Sequence, residues 1–252
     1  MKNKTGRKWW WTLGYALGLS AWVFAVLIAS QFTVQTVMSI LPGVDLDQPA
    51  WAMLASLISS VMEIALILLV PPKLIEAFYK KRQHKDMPQV VNTREALGLK
   101  GFLSWIDIGL SPVAYLVATL LGVGLSYLFT IFPWFNLEEA QGKFFAFPVG
   151  AGEKIAAFLM LVVIAPIVEE VIFRGWLYGK LRARMGMVAS ILVTSVLFGV
   201  VHGQWGTGVN VFALSVVLCG LREITGTIYA GILTHIIKNA VAFYLLYVLG
   251  FG

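Results

Sequence analysis

The sequence has few charged residues and almost no cysteine. Lys, Arg, Asp and Glu make up 13% of the 252 residues, hydrophobic residues make up 59%, and the mean hydropathy is +0.82. A soluble domain of this length needs far more polar surface. Because Cys219 is the only cysteine, an intrachain disulfide framework is excluded. The composition predicts a polytopic integral membrane protein.

The excess of basic residues does not indicate nucleic-acid binding. The formal net charge is +6, but the Lys and Arg residues cluster between apolar runs. The sequence also contains no internal repeat and no low-complexity tract. We expect a lipid bilayer as a partner and no nucleic acid, and the oligomeric state stays open.

Seven apolar runs divide the chain. About 20 apolar residues span a bilayer, and two of the runs, 188–202 and 209–221, are shorter than that. We therefore predict an all-α transmembrane bundle of about seven helices, with six to eight possible. The runs are Thr12–Ile40, Trp51–Val70, Ile108–Phe132, Ile155–Tyr178, Val188–His202, Val209–Leu221 and Ile228–Leu249.

The positions of Lys and Arg predict the orientation in the membrane. Short loops rich in these residues face the cytoplasm, and they occur before the first run and at 73–106 and 180–186. This pattern predicts a cytoplasmic N-terminus. Separately, we expect the membrane to be that of a bacterial cell. We divide the chain into residues 1–150, which carry N-terminal helices and a basic loop, and residues 151–252, which carry the candidate catalytic core.

Three polar islands interrupt the apolar runs of this second part. The first contains Glu169, Glu170 and Arg174, the second contains His202, and the third contains His235 with Asn239. A charge at the centre of a membrane helix costs about 2.5–3.5 kcal/mol on insertion scales, so such residues usually have a function.

The spacing of the first two islands predicts that they lie at one depth. Glu169 lies about 16 residues before an expected tight turn near Met185–Gly186, and His202 lies about 16 residues after it. At about 1.5 Å per residue, both would lie roughly 25 Å from the turn. Antiparallel neighbouring helices would therefore bring the two side chains level.

Helical spacing distinguishes the two adjacent glutamates. Residues four apart share a helix face, so Glu170 and Arg174 can form a charge pair. Glu169 points about 100° away from Glu170 and lacks this obvious partner. Glu169 is therefore the candidate for chemistry, with Glu170 and Arg174 as supporting residues.

The histidine islands repeat the spacing of four. Phe198 would form a wall beside His202, and His235 with Asn239 would direct two hydrogen-bonding groups to one point. Such a set suits amide hydrolysis, in which Glu169 and His202 activate water while His235 and Asn239 stabilise the oxyanion. The same glutamate and two histidines could instead bind zinc as an open three-ligand site. The residues alone leave both alternatives open.

These motifs resemble those of a known family. Glu169-Glu170-x-x-x-Arg174, Phe198-x-x-x-His202 and His235-x-x-x-Asn239 are similar to the three motifs of the CAAX-protease and bacteriocin-processing (CPBP, or Abi) intramembrane proteases. This family includes the type II CAAX endoproteases, also called Rce1-like. The resemblance covers about Ile155–Leu249, and it does not extend to the first 150 residues.

The resemblance implies an all-helical fold with a membrane cavity that opens toward the cytoplasm. It implies that the first glutamate and first histidine activate water and that the second histidine and the asparagine form the oxyanion hole. The family is often labelled metalloprotease, and a metal-free glutamate mechanism is an equal alternative. Its eukaryotic branch cleaves three C-terminal residues from prenylated CAAX proteins, and bacterial relatives are associated with peptide or bacteriocin processing, self-immunity and membrane-protein turnover.

We therefore expect an endopeptidase that acts on a membrane-embedded or lipid-modified peptide or protein. The alternative is a non-catalytic bacteriocin-immunity or envelope scaffold protein of the same fold, and a proton-coupled transporter ranks last. Glu63 in the second apolar run is an unexplained charge. It pairs with a base, lines the substrate path, or marks a shorter second helix.

Overall fold

The computed structural model describes residues 9–69, 94–133, 135 and 150–250. These residues form seven helices and contain no strand, and six of the helices, all except α5, are long and apolar enough to cross a membrane. The chain is an integral, multi-pass membrane protein, and the predicted all-α fold class is confirmed. The helices are α1 (Trp9–Ser39), α2 (Pro49–Leu69), α3 (Trp105–Phe129), α4 (Ala151–Arg182), α5 (Met187–Val200), α6 (Trp205–Thr225) and α7 (Tyr229–Val248).

The helix ends agree with the sequence in one place and differ in another. The expected turn near Met185–Gly186 is present, because α4 ends at Arg182 and α5 begins at Met187. In contrast, α6 has 21 residues where the apolar run covers only 209–221. Glycine and polar residues at both ends of this helix hide its length from a search for apolar runs.

Most of the basic residues that predict the orientation lie outside the described residues. The basic residues before Trp9 and most of the 73–106 loop fall in parts of the chain that the structure does not describe. The cytoplasmic N-terminus therefore stays a prediction, as does the division of the chain at residue 150.

Helix α4 is not a uniform α-helix. It contains two π-helical segments, Leu159–Ile164 and Val171–Leu177, and the α-helical segment Ala165–Glu170 lies between them. Segments of this kind add a residue to a helical turn and occur frequently at functional sites. The short segment between them carries Glu169 and Glu170.

Close packing fixes the position of the turn that carries His202. A Cβ atom added to Gly199 of α5 would lie 2.9 Å from the carbonyl oxygen of Gly208 on α6, so the two backbones are in contact. Close approach through small residues is a common way to pack helices in a bilayer. The chain turns between these helices at Gly203, whose φ of +75° suits glycine. His202 is thereby held directly after α5.

Candidate active site

One cavity collects the predicted site residues. It has a volume of about 180 Å³ and is lined by Glu169 of α4, His202 of the α5–α6 turn, and His235 and Asn239 of α7. The three polar islands of the sequence therefore meet in space. The other lining residues are Gln31, Ser56, Ser60, Glu63, Met160, Leu161, Ala165, Val168, Lys238, Ala242, Phe243, Leu246 and Tyr247.

Glu169 points one carboxylate oxygen toward His235. Its Oε2 atom lies 3.7 Å from Nε2 of His235, which is beyond hydrogen-bonding distance. This oxygen is buried and has no hydrogen-bond partner within the described part of the protein. The side chain as a whole is 31% exposed, so the group remains accessible from the cavity. Glu169 thus has an acceptor free for water or substrate.

Glu170 has the opposite environment. Its side chain and that of Arg174 are fully buried, and Oε1 of Glu170 lies 2.8 Å from Nη1 of Arg174. The ion pair expected from the spacing is present. The same oxygen lies 3.0 Å from Nδ1 of His235, a contact that the sequence did not predict. Glu170 therefore joins Arg174 on its own helix to His235 on α7.

This contact determines which nitrogen of His235 faces Glu169. A carboxylate accepts hydrogen bonds and does not donate them, so Nδ1 of His235 carries the hydrogen that it donates to Glu170. The ring consequently directs Nε2 toward Glu169. Glu170 supports the site by orienting a histidine on another helix.

The ring of Phe198 lies between the buried Arg174 guanidinium and His202. The guanidinium carbon of Arg174 lies 4.3 Å from the centre of the Phe198 ring, a favourable cation–π distance. The same ring packs edge-on against His202, with ring centres 4.9 Å apart, and more loosely against His235 at 5.9 Å. Phe198 is fully buried. It therefore forms the wall that the sequence predicted beside His202.

The backbone of α5 orients His202. Nδ1 of His202 lies 2.7 Å from the carbonyl oxygen of Phe198, and a carbonyl can only accept a hydrogen bond. Nδ1 must therefore carry a hydrogen, which leaves Nε2 of the neutral ring as an acceptor. Glu169, Lys238 and His235 line the same cavity as this ring. His202 thus has an acceptor nitrogen in the cavity that Glu169 also lines.

Asn239 of α7 binds a backbone carbonyl of α4 that would otherwise lack a donor because of a proline. In the first π segment, the N–H of Ala165 donates to the carbonyl of Met160, five residues earlier. The next bond of this pattern would run from Pro166 to the carbonyl of Leu161, but proline has no N–H. The Leu161 carbonyl instead accepts a hydrogen bond of 2.8 Å from Nδ2 of Asn239. The second N–H of that amide nitrogen stays available to a ligand.

Two lining residues were not assigned to the site from the sequence. Lys238 is half-buried, and it lines both this cavity and a second one of about 320 Å³ between α3, α6 and α7. Its charge attracts that of Glu169. The available signal was its spacing of three residues from His235, which places the two on neighbouring positions of one face.

Glu63 of α2 also lines the cavity. Because α2 continues to Leu69, the explanation that it ends before Glu63 is wrong.

The zinc alternative depends on Glu169, His202 and His235. Within the described ranges, no group of three His, Cys, Asp or Glu side chains is placed to hold a metal ion. Nδ1 of each histidine is bonded to a protein acceptor, an arrangement that is also usual for histidines that bind zinc through Nε2. The two Nε2 atoms and Glu169 are thus the candidate ligands, and zinc binding stays a prediction.

Comparison with known proteins agrees with the motifs. Residues 151–241 match the family described as Type II CAAX prenyl endopeptidase Rce1-like. Over that segment the chain is similar to the Rce1-like family. The matched segment begins at the first residue of α4 and includes all the predicted site residues from Glu169 to Asn239.

One curated relative is similar to part of the chain. The chain is 27% identical over 134 residues to the Bacillus subtilis (strain 168) protein named "Putative membrane peptidase YdiL". The match covers 46% of this chain and 55% of the relative, so the chain spans about half the length of that protein. No solved structure shows a significant match to the chain.

Proposed function

We propose that this protein is an intramembrane endopeptidase that hydrolyses a peptide bond of a membrane-embedded or lipid-modified peptide or protein. The observation that carries the proposal is the free Oε2 atom of Glu169, which faces Nε2 of His235 in a cavity shared with His202 and Asn239. The match of residues 151–241 to the Rce1-like family and the name of the Bacillus relative support the same activity.

In the proposed reaction, Glu169 and His202 activate the attacking water. Glu169 supplies an acceptor oxygen without a competing hydrogen bond among the described residues, and Nε2 of neutral His202 is a second acceptor. Together they hold the water by its two hydrogens, and one of them takes a proton as the oxygen attacks the carbonyl carbon. The same group then gives this proton to the amine nitrogen as the carbon–nitrogen bond breaks. General bases of this kind typically contribute about 10²–10⁴-fold to the rate.

His235 and Asn239 stabilise the tetrahedral intermediate in this proposal. Asn239 donates the amide N–H that Leu161 does not use. His235 donates from Nε2 only when both ring nitrogens carry hydrogen, because Nδ1 donates to Glu170. The carboxylates of Glu170 and Glu169, at 3.0 and 3.7 Å from the ring nitrogens, balance the charge of that imidazolium. Donors fixed before the reaction are effective because they need no reorganisation.

Glu169→Gln tests the proposal directly. The purified protein in lipid vesicles should cleave model transmembrane peptides, and Glu169→Gln should lower the rate by at least about 10²-fold while the variant remains folded. The matched control is Glu95→Gln, because Glu95 is exposed and lies outside the cavity. Peptides trapped by Glu169→Gln can then be identified by mass spectrometry.

Two results would contradict the proposed mechanism. Cleavage by Glu169→Gln at the rate of the unmodified protein would exclude Glu169 as the base. Binding of a peptide by the unmodified protein without any cleavage would favour the non-catalytic immunity or scaffold function.

A further inference from the structure

Glu63 places a second carboxylate in the wall of the cavity, outside the part of the chain that carries the family motifs. It lies on α2, whereas the matched segment begins at residue 151. Only 6% of the residue is exposed, yet it lines the same cavity as Glu169 and His202. Their charges are close enough for the two glutamates to interact. The proposed mechanism gives Glu63 no task.

The protein supplies Glu63 with a weak neutral partner. Nε2 of Gln31 on α1 donates to Oε1 of Glu63 over 3.3 Å, which is a long hydrogen bond. The ion pairs within the described ranges involve Glu169, Glu170 and Glu223, and none includes Glu63. A buried carboxylate without a cation is costly. Glu63 is therefore ready to bind a cation from outside the described structure.

The other charged groups of the cavity lie on other elements. Glu169 is on α4, against which α2 packs, His202 is in the α5–α6 turn, and His235 and Lys238 are on α7. Lys238 attracts Glu169, so this cation is associated with the proposed catalytic carboxylate rather than with Glu63. On α2, Glu63 lies beside the small polar residues Ser56 and Ser60. A peptide in the cavity would meet the proposed catalytic groups together with an acid that has no cation partner among the described residues.

We propose that Glu63 is a specificity-determining residue that binds the side-chain cation of a Lys or Arg residue next to the scissile bond of the substrate. This inference rests on the proposed endopeptidase function. The cavity volume of about 180 Å³ far exceeds the ~10–15 Å³ that one water requires, so it has room for a substrate side chain. Membrane proteins offer such residues where their helices reach the cytoplasm, because the loops there are rich in Lys and Arg. The substrate class is therefore a membrane-anchored peptide cleaved beside a basic residue.

Substitutions that swap the charges of residue 63 and of the peptide residue beside the cleavage site test this inference. Three transmembrane peptides would be identical except for Lys, norleucine or Glu at each position flanking the cleavage site in turn. At the best position, the unmodified protein should cleave the Lys peptide with a kcat/KM about tenfold above that of the norleucine peptide, mainly through KM. Glu63→Gln should abolish this preference, and Glu63→Lys should reverse it in favour of the Glu peptide. A purely structural role of Glu63 would not reverse the preference.

The controls separate failure of this inference from failure of the proposed function. Glu95→Gln should retain both the rate and the preference for Lys. If the unmodified protein cleaves the peptides but Glu63→Gln keeps the same Lys preference, the role of Glu63 is wrong and the proposed function stands.

A binding measurement decides the inference even without cleavage. Fluorescence anisotropy would compare the affinity of the Lys and norleucine peptides for Glu169→Gln and for the double variant with Glu63→Gln. We expect about tenfold tighter binding of the Lys peptide by Glu169→Gln and equal binding by the double variant. Equal binding of both peptides by Glu169→Gln would overturn the inference.

Discussion

Glu169 and Glu170 are adjacent in the chain but lie in opposite environments. Glu170 is completely buried and contacts Arg174 and His235. Glu169 is partly exposed, lines the cavity and has an oxygen without a hydrogen-bond partner in the described structure. The rotation of about 100° per residue in an α-helix is enough to separate them. Burial with partners suits a structural support, whereas accessibility without a partner suits a proposed catalytic base.

The largest effect that can test this comparison is the loss of Glu170. Glu170→Ala leaves Arg174 buried without its carboxylate, which should lower the free energy of unfolding by about 3–5 kcal/mol. Glu169→Ala should change it by less than about 1 kcal/mol, because Glu169 is partly exposed and its ion contact with His235 is long, at 3.7 Å. Thermal unfolding in the same detergent measures both variants. Equal losses would show that the two glutamates do not differ as described.

The next largest effect is expected at Asn239, which lines the cavity. Asn239→Ala removes a proposed oxyanion donor and should lower kcat by about 10²–10³-fold. It also removes the bond to the Leu161 carbonyl, so stability must be measured in parallel. Asn239→Asp provides the control, because it keeps the size of the side chain but replaces both amide N–H donors. An active Asn239→Asp variant would contradict the proposed role.

A smaller effect is expected when Arg174, the buried partner of Glu170, is replaced. Arg174→Lys keeps the charge beside Glu170 but loses the planar guanidinium over Phe198. We expect a loss of stability of about 0.5–2 kcal/mol, smaller than that of Glu170→Ala. Chemical denaturation of the two variants side by side measures the difference. A loss in Arg174→Lys as large as in Glu170→Ala would mean that the stacking is as important as the ion pair.

The smallest effect is expected at Pro166, which leaves the Leu161 carbonyl free to bind Asn239. Pro166→Ala restores an N–H that can compete with Asn239 for the carbonyl of Leu161. One hydrogen bond contributes about 0.5–1.5 kcal/mol, so we expect a fall in kcat of about tenfold or less. Addition of Asn239→Ala should then cost less than it does in the unmodified protein. Fully independent effects in this double-mutant cycle would contradict the coupling.

Much of the architecture could be predicted from composition and spacing. Apolar runs predict the helices because the bilayer requires about 20 apolar residues for each span. The spacing of four between Glu170 and Arg174 predicts their ion pair, and equal distances from one turn bring Glu169 and His202 to the same cavity. These are local rules, and here they hold even though the stretch from Glu170 to the turn includes the π segment Val171–Leu177.

The contacts between distant helices could not be predicted in this way. The bond from His235 to Glu170 depends on how α7 packs against α4, which no spacing within either helix determines. The participation of Glu63 depends on the packing of α2 against the same helix, and no motif accompanies it. The bond from Asn239 to Leu161 requires a π segment next to Pro166, whereas the sequence suggests only an ordinary helix with a proline.

The two π segments also allow α4 to change in length. Each contributes one residue more than an α-helix needs for the same turn, and together they flank the segment that carries Glu169 and Glu170. Deleting one residue within 159–164 would allow regular α-helical bonding there. Because the extra residue is accommodated within one turn, the two ends of α4 would keep nearly the same relative orientation. Glu169 would stay at the cavity, so homologous chains should tolerate a one-residue difference in length within this stretch but not in the α-helical parts of α4, where it would rotate one end of the helix by about 100°.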